Sequence, residues 1–303
     1  MRIAISGSTG LIGRRLCETL KSRGDEVVPI VRRAPIDSEI SWDPSAGQLD
    51  AKQLIGIDAV VNLSGAGIGD RRWTTSYKRI VLESRTFTTE LLSTRLAEVR
   101  ADGGPSRLLS GSAIGFYGAR GDEVLDEASA TGDGFLAEVC REWEHATAPA
   151  EEAGVSVAHL RTGIVLSPRG GALKKLLPLF KLGLGGRMGS GNQWQSWISI
   201  DDEVAAIIHL LTSDLVGPVN LTAPTPVTNS EFTTTLARAV RRPALFPVPG
   251  FGPKILLGSE LAEALLLTGQ RVHPTALQGN GFSFNHPDLA AALSGVLASG
   301  STR

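Results

Sequence analysis

"MRIAISGSTGLIGRRLCETLKSRGDEVVPIVRR" (residues 1–33) is the stretch whose reading decides the fold. A short apolar run leads into Gly7, Gly10 and Gly13, then into a helix-like segment with Leu11, Ile12, Leu16 and Leu20 on one side, then into a second apolar run. Strand, glycine turn, helix and strand within about 30 residues make the βαβ unit of a dinucleotide site. Gly7 permits the tight turn, Gly10 lets backbone approach a pyrophosphate at the helix N-terminus, and Gly13 allows close packing of helix on strand.

The end of the second apolar run selects the cofactor. NAD sites usually carry Asp or Glu there for the ribose hydroxyls, and such a carboxylate repels a 2′-phosphate. This chain has Arg32 and Arg33. A guanidinium presents a planar fork of donors matched to phosphate, so NADP(H) is the expected cofactor.

Further along, "GIDAVVNLSGAGI" predicts a buried strand over residues 59–63 that ends in a small-residue loop. In "YKRIVLESRTFTTELLSTRLAEV", Ile80, Leu91, Leu92 and Leu96 are expected to pack. "SRLLSGSAIGFYG", "VSVAHLRTGIVLS" and "GPVNLTAP" read as strands, with Ser112 and Tyr117 at the exit of the first. Asp201 and Asp202 suit the positive end of a helix, and Asn229 is expected to cap the next. Prolines in residues 241–253 mark a junction, and the tail "SGSTR" is expected to fray. The expected fold class is α/β: a Rossmann-type doubly wound parallel sheet with a smaller C-terminal, substrate-side lobe. Residues 1–168 and 200–224 are assigned to the NADP-binding domain, and 169–199 with 225–303 to the substrate side.

Composition narrows the partner. The 303 residues carry 30 basic and 31 acidic side chains, a formal net charge of −1, and are 42% hydrophobic. The chain can bury a substantial core and has no global field to collect nucleic acid or an anionic membrane. A small-molecule substrate is expected, with no nucleic acid and no membrane as partner. The only cysteines, Cys17 and Cys140, and the five scattered histidines show no metal-ligand or triad spacing, so no metal site and no disulfide framework are expected. No signal peptide or spanning segment is read, and the expected location is cytoplasmic.

The stretches "GSTGLIGRRL", "VVNLSGAGIGDRRWT", "ESRTFTTELL", "SAIGFYG", "LRTGIVLSPRGGALKKLLPLFKLGLGGRMGSGNQWQSWISIDD", "LTAPTPVTNSEF" and "TGQRVHPTALQGNGFSFNHPDLAAAL" together span essentially the whole chain. They resemble the extended short-chain dehydrogenases/reductases, specifically the atypical "epimerase family" proteins with a small C-terminal domain of unknown function. The resemblance implies that Gly7, Thr9, Gly10, Leu11, Ile12 and Gly13 hold the pyrophosphate and Arg32 the 2′-phosphate. It implies that Leu63, Ser64 and Gly65 lie on the adenosine side, that Arg85 projects toward the cofactor, and that Val165 sits near the nicotinamide. Ser112 falls on the catalytic serine of the extended reductases, while their Tyr and Lys fall on Phe135 and Val139 in "GDGFLAEVCREWEHA".

That departure removes the usual acid–base pair, since Phe has no proton to give and Val no charge to lend. The expected replacement is Ser112 binding a carbonyl and Tyr117 donating the proton; Cys140 and Glu138 read as a small buried group and a solvated helix charge. A Tyr without a neighbouring Lys stays protonated, which favours carbonyl reduction over alcohol oxidation. Gln193, Trp194, Gln195 and Trp197 are expected on the substrate, with core packing as the alternative for the tryptophans. Lys174, Lys175, Lys181 and Arg187 read as a solvated basic face, with contact to an anionic substrate as the alternative. The expected function is an NADP(H)-dependent oxidoreductase reducing a small polar carbonyl compound. A noncatalytic NADP(H)-binding sensor or scaffold, and a nucleotide-sugar epimerase, are the alternatives.

Overall fold

The computed structural model of the chain describes residues 1–244 and 247–299. β1 (Arg2–Ser6), α1 (Leu11–Ser22) and β2 (Glu26–Val31) form the opening unit, followed by β3 (Ile40–Asp43), β4 (Gln48–Leu49) and β5 (Ala59–Asn62). The long α2 (Thr75–Val99) leads to β6 (Arg107–Ala113), β7 (Val124–Leu125), α3 (Phe135–His145), α4 (Ala148–Glu152), β8 (Ser156–Thr162) and β9 (Ile164–Leu166). Next come α5 (Gly171–Lys181), β10 (Trp194–Gln195), β11 (Trp197–Ser199), α6 (Ile200–Thr212), β12 (Gly217–Leu221), β13 (Val227–Thr228) and α7 (Asn229–Ala239). The C-terminal part holds α8 (Phe251–Leu257), α9 (Ser259–Ala262), a π-turn (Glu263–Leu267), β14 (Arg271–Val272), α10 (Thr275–Gly279) and α11 (Leu289–Ser299). Leu245 and Phe246 of the proline-rich junction, and residues 300–303 of the tail, lie outside the described residues.

The main sheet has eight strands in the order β12-β8-β6-β5-β1-β2-β3-β4, all pairs parallel except β3 with β4. The chain thus builds outward from β1 in both directions, and the strand order reverses between β1 and β5. That reversal opens a crevice at the carboxyl ends of these strands, where open α/β sheets bind ligands. Side chains alternate faces along β1. Ile3 and Ile5 join one core with Leu16, Leu20, Val204 and Ile207, whereas Ala4 faces the other with Val60, Leu92 and Leu96.

The first of these cores also takes in Phe232 and Leu236 of α7, Leu277 of α10, and Leu289, Leu293 and Val296 of α11. The C-terminal elements are therefore packed on the same apolar interior as the glycine-turn helix. Asp202, fully buried in α6, adds a polar tie by accepting hydrogen bonds from the Asn285 and His286 amides at 2.7 and 2.9 Å.

Local details differ from the sequence reading in places. Ile80 is exposed on α2, and Tyr77 and Val81, four residues and about one turn apart, face inward instead. Thr228, not Asn229, caps α7 in a reciprocal box with Glu231, which frees the Asn229 side-chain Oδ1 to accept from the Met188 amide at 2.8 Å. Among the described residues no helix is long and apolar enough to cross a membrane.

Because Leu293 is fully buried in the shared core, Leu293→Ala is expected to destabilise the whole chain by about 2–5 kcal/mol. Urea unfolding checks this; a single transition shifted to lower urea is expected, and loss of only a separate C-terminal transition would contradict it.

Candidate functional site

The glycine turn sets the geometry of the crevice. Gly7 has φ +68°, and a Cβ added to Gly13 would lie 2.2 Å from the Gly7 carbonyl oxygen. α1 can approach β1 this closely only without that side chain. Gly10 stands at the helix N-cap position with no side-chain cap, so the first-turn amides are left for an external acceptor. Thr9, Gly10 and Leu11 line a cavity of about 490 Å³, closed on the far side by Ser167, Arg169 and Gly170. Ile12 and Leu63 are partly buried against the core, and Ser64 and the exposed Gly65 follow β5 at the crevice.

The two arginines after β2 divide. Arg33 is bound by both carboxylate oxygens of Glu39 at 2.6 and 2.7 Å. Arg32 is exposed and makes no hydrogen bond or ion pair with the described residues.

A second cavity, of about 290 Å³, lies beyond the exits of β6 and β8. Ser112 and Arg85 line it, as does Trp194, whose indole N–H donates to Asp122 at 2.7 Å. Arg85 donates to the carbonyls of Val81 and Ala66 and stacks on the Trp143 ring at 5.0 Å; burial lowers its pKa. Val165 pairs with Ile198 between β9 and β11 and rests against the core, while its neighbour Ile164 reaches the cavity wall.

Ser112 has partners that the sequence reading missed. Its Oγ donates to Glu144 Oε1 at 2.6 Å. Arg161 grips both oxygens of that carboxylate, Nε to Oε1 and Nη2 to Oε2, each at 2.8 Å, with the pair almost entirely buried. Burial by itself would lower the Arg161 pKa, but the Glu144 bonds and charge outweigh it and raise it. Arg161 is a charge within the buried part of β8, a signal in the sequence that could have pointed to the pair. Glu144 gave none, since it reads as one more helix charge.

Several expected residues are placed elsewhere. Tyr117 is fully buried; its hydroxyl donates to Asn220 Oδ1 at 2.7 Å and accepts from Arg161 Nη1 at 3.0 Å, and it is not part of the cavity wall. Burial raises its pKa against the opposing pull of Arg161. Trp197 is a core residue with no exposed surface, its indole N–H held by the Thr225 carbonyl. The Gln193 amide is spent on the carbonyls of Met188 and Leu266, so it braces the wall and does not face the cavity. Gln195 and Gln270 line the cavity instead, and their side-chain amides make no hydrogen bond with the described residues. At the positions of the missing Tyr and Lys, Phe135 packs edge-on against Trp73 at 5.0 Å and Val139 is buried against Tyr77 and Val81. Cys140 is buried and its thiol pushed up to about 12 by burial, which makes it an unreactive wall group.

The family models match on both parts of the chain: residues 3–221 fit the NAD dependent epimerase/dehydratase family and 248–296 a domain of unknown function (DUF1731). The chain belongs to the NAD dependent epimerase/dehydratase family. Within this family it is 47% identical over 293 residues to an epimerase family protein of Mycobacterium bovis, covering 96% of each. The crystal structure of the human epimerase family protein SDR39U1 with NADPH superposes with a TM-score of 0.89 at 33% identity, over 98% of this chain and 99% of that one. A structure titled as a nucleoside-diphosphate sugar epimerase from Corynebacterium glutamicum matches at 38% identity and a TM-score of 0.81, over 99% of this chain and 58% of that one.

Tyr117→Phe would strand the Asn220 oxygen and one Arg161 N–H in the interior. It is expected to cost about 1–3 kcal/mol in urea unfolding while leaving the affinity for NADPH unchanged. Glu203 yields a pH prediction. It is fully buried, one oxygen accepting from Thr162 at 2.9 Å and the other without a partner among the described residues, and burial pushes its carboxyl up to about 8. The unfolded chain releases that proton near pH ~4.3, so between the two values the native state holds more protons and loses stability as pH rises. Glu203→Gln should therefore gain on the wild type as pH goes from about 5 to about 8; a difference independent of pH would contradict this.

Proposed function

We propose that this chain is an NADP(H)-dependent oxidoreductase that interconverts a small polar carbonyl compound and its alcohol. Ser112 holds the reacting oxygen, and Glu144 exchanges the proton through it. The 2.6 Å bond from Ser112 to Glu144 at the cavity wall carries this reading. In it, residues 1–168 and 200–224 form the cofactor side and 169–199 with 225–303 the substrate side.

The residues fit the cofactor. The uncapped N-terminus of α1, approached by Gly10 without a side chain, suits a pyrophosphate, and the uncommitted Arg32 suits a 2′-phosphate. The NADPH of the human relative supports the same choice. When bound, NADP(H) supplies or accepts the hydride at the cavity.

The chain's own groups handle the proton. Clasped by a guanidinium that is always charged, Glu144 acts as an acceptor, so the Ser112 hydrogen points to it and an Oγ lone pair is left for the cavity. A substrate hydroxyl can donate to that lone pair. As its proton passes to Ser112 Oγ, the serine proton passes to Glu144; reduction of a carbonyl runs the same transfers in reverse. With the Tyr117 hydroxyl engaged by Asn220, the expected preference for reduction keeps only the support of the NADP(H) choice. Arg161 positions the carboxylate, and the apolar Val139 and Cys140 keep the surroundings dry, which strengthens the Ser112–Glu144 bond.

Arg32→Ala is expected to weaken NADPH binding at least about tenfold and leave NADH binding unchanged in fluorescence titration. With NADPH and a panel of small hydroxyaldehydes, Ser112→Ala and Glu144→Gln should each lower turnover about 100-fold or more without loss of NADPH affinity. Intact NADPH binding with no turnover on any member of the panel would instead favour the sensor reading.

A further inference from the structure

The substrate end of the crevice is walled by the C-terminal region, and the wall is fixed in place. The π-turn presents Ala264, Leu265 and Leu266 to the cavity, and such turns often mark functional sites. Gln193 holds the Leu266 carbonyl, and Ser196 accepts from the Val272 amide and donates to the Gln270 carbonyl at 2.7 Å. Gly269 lies so close that a Cβ there would stand 1.8 Å from the Trp194 carbonyl oxygen.

Behind this wall the space is small. The cavity of about 290 Å³ equals roughly ten water volumes, of which a six-membered aromatic ring takes about half. The remainder suits a compound of about three to five carbons. The uncommitted polar groups that face it are neutral, the amides of Gln195 and Gln270, each with donors and an acceptor. Arg85, the cation of this wall, is turned onto the carbonyls of Val81 and Ala66.

The outer mouth offers anions nothing to pair with. It adjoins the cavity through Gly115, Leu136 and Thr268, and its ionisable groups are Asp133, Glu260 and Glu263, of which Glu260 is paired with Lys78 and Glu263 with Lys254. Farther out, Arg79 is paired with Glu83 and Arg141 with Glu142, so among the described residues that line the mouth each cation already has a carboxylate partner. Resting on the oxidoreductase reading for the chemistry at Ser112, we propose that the site takes a neutral hydroxy-carbonyl compound of a few carbons. Gln195 and Gln270 recognise its hydroxyl groups, and the walled cavity, whose mouth has its cations already paired, excludes nucleoside-diphosphate sugars.

The test is calorimetry and saturation-transfer NMR on the full chain, with and without NADPH, using UDP-glucose, D-glyceraldehyde, dihydroxyacetone and D-glycerate as probes. At about 1 mM, UDP-glucose is expected to give no heat, and the two neutral three-carbon probes to give transfer signals that glycerate lacks. Gln195→Ala and Gln270→Ala should each weaken the neutral probes about fivefold or more. Saturable binding of UDP-glucose to the wild type, glycerate binding more tightly than glyceraldehyde, silence from both neutral probes, or indifference to the two glutamine substitutions would overturn the proposal. Failure to bind NADPH in the same samples would sink the cofactor reading alone, since the UDP-glucose measurement on the cofactor-free protein does not depend on it.

Discussion

The close approach of α1 to β1 at Gly13 and Gly7 is the constraint on which the rest of the molecule depends. With a Cβ at Gly13 only 2.2 Å from a backbone oxygen, the helix would be pushed off the sheet and its N-terminus turned away from the crevice. Leu16 and Leu20, one and two turns further along, would then lose their seats against Ile3, Ile5 and the α6 side chains. Residues 167–170 would move too, because Gly170 packs on Leu11 so tightly that a Cβ there would meet it at 2.9 Å. One missing methyl group thus fixes the cofactor end, the main core and the segment that closes over both.

A buried ion pair governs the other end. Glu144 and Arg161 give up solvation and recover it through paired charge-assisted hydrogen bonds, with Ser112 and Tyr117 satisfying further valences. Such a cluster is costly to leave half made, so it locks Ser112 in one orientation. This is a different solution from the Tyr and Lys of ordinary relatives. Phe135 and Val139 are packing groups against α2 and its neighbours, and in the proposed reading the proton chemistry falls to Glu144 at the far end of α3.

The C-terminal region both packs the core and walls the cavity. α10 and α11 share the core of the sheet, while the π-turn and the residues after it complete the cavity beside Ser112. Cavity size and core packing are therefore coupled through one stretch of chain. A change at Gly269 would strike the Trp194 backbone and alter both.

The sequence by itself determined the opening βαβ unit, because glycine spacing and apolar runs are local signals that chain geometry turns into one structure. It also determined the parallel α/β class, through alternating strand and helix patterns, and Ser112 as a residue at a strand exit. What only the tertiary structure decided is which polar groups meet. Glu144 and Arg161 lie on different elements and come together because α3 packs on β6, the strand that pairs with β8. Tyr117 sits close to Ser112 in the chain, yet the turn after β6 folds its ring inward onto Asn220, a partner 103 positions away. Gln193 and Gln195 look equivalent in "GNQWQSW", and only the approach of the Leu266 carbonyl separates a brace from a cavity group. Local spacing sets backbone shape, but the pairing of buried polar side chains is set by contacts between distant segments, which no single stretch encodes.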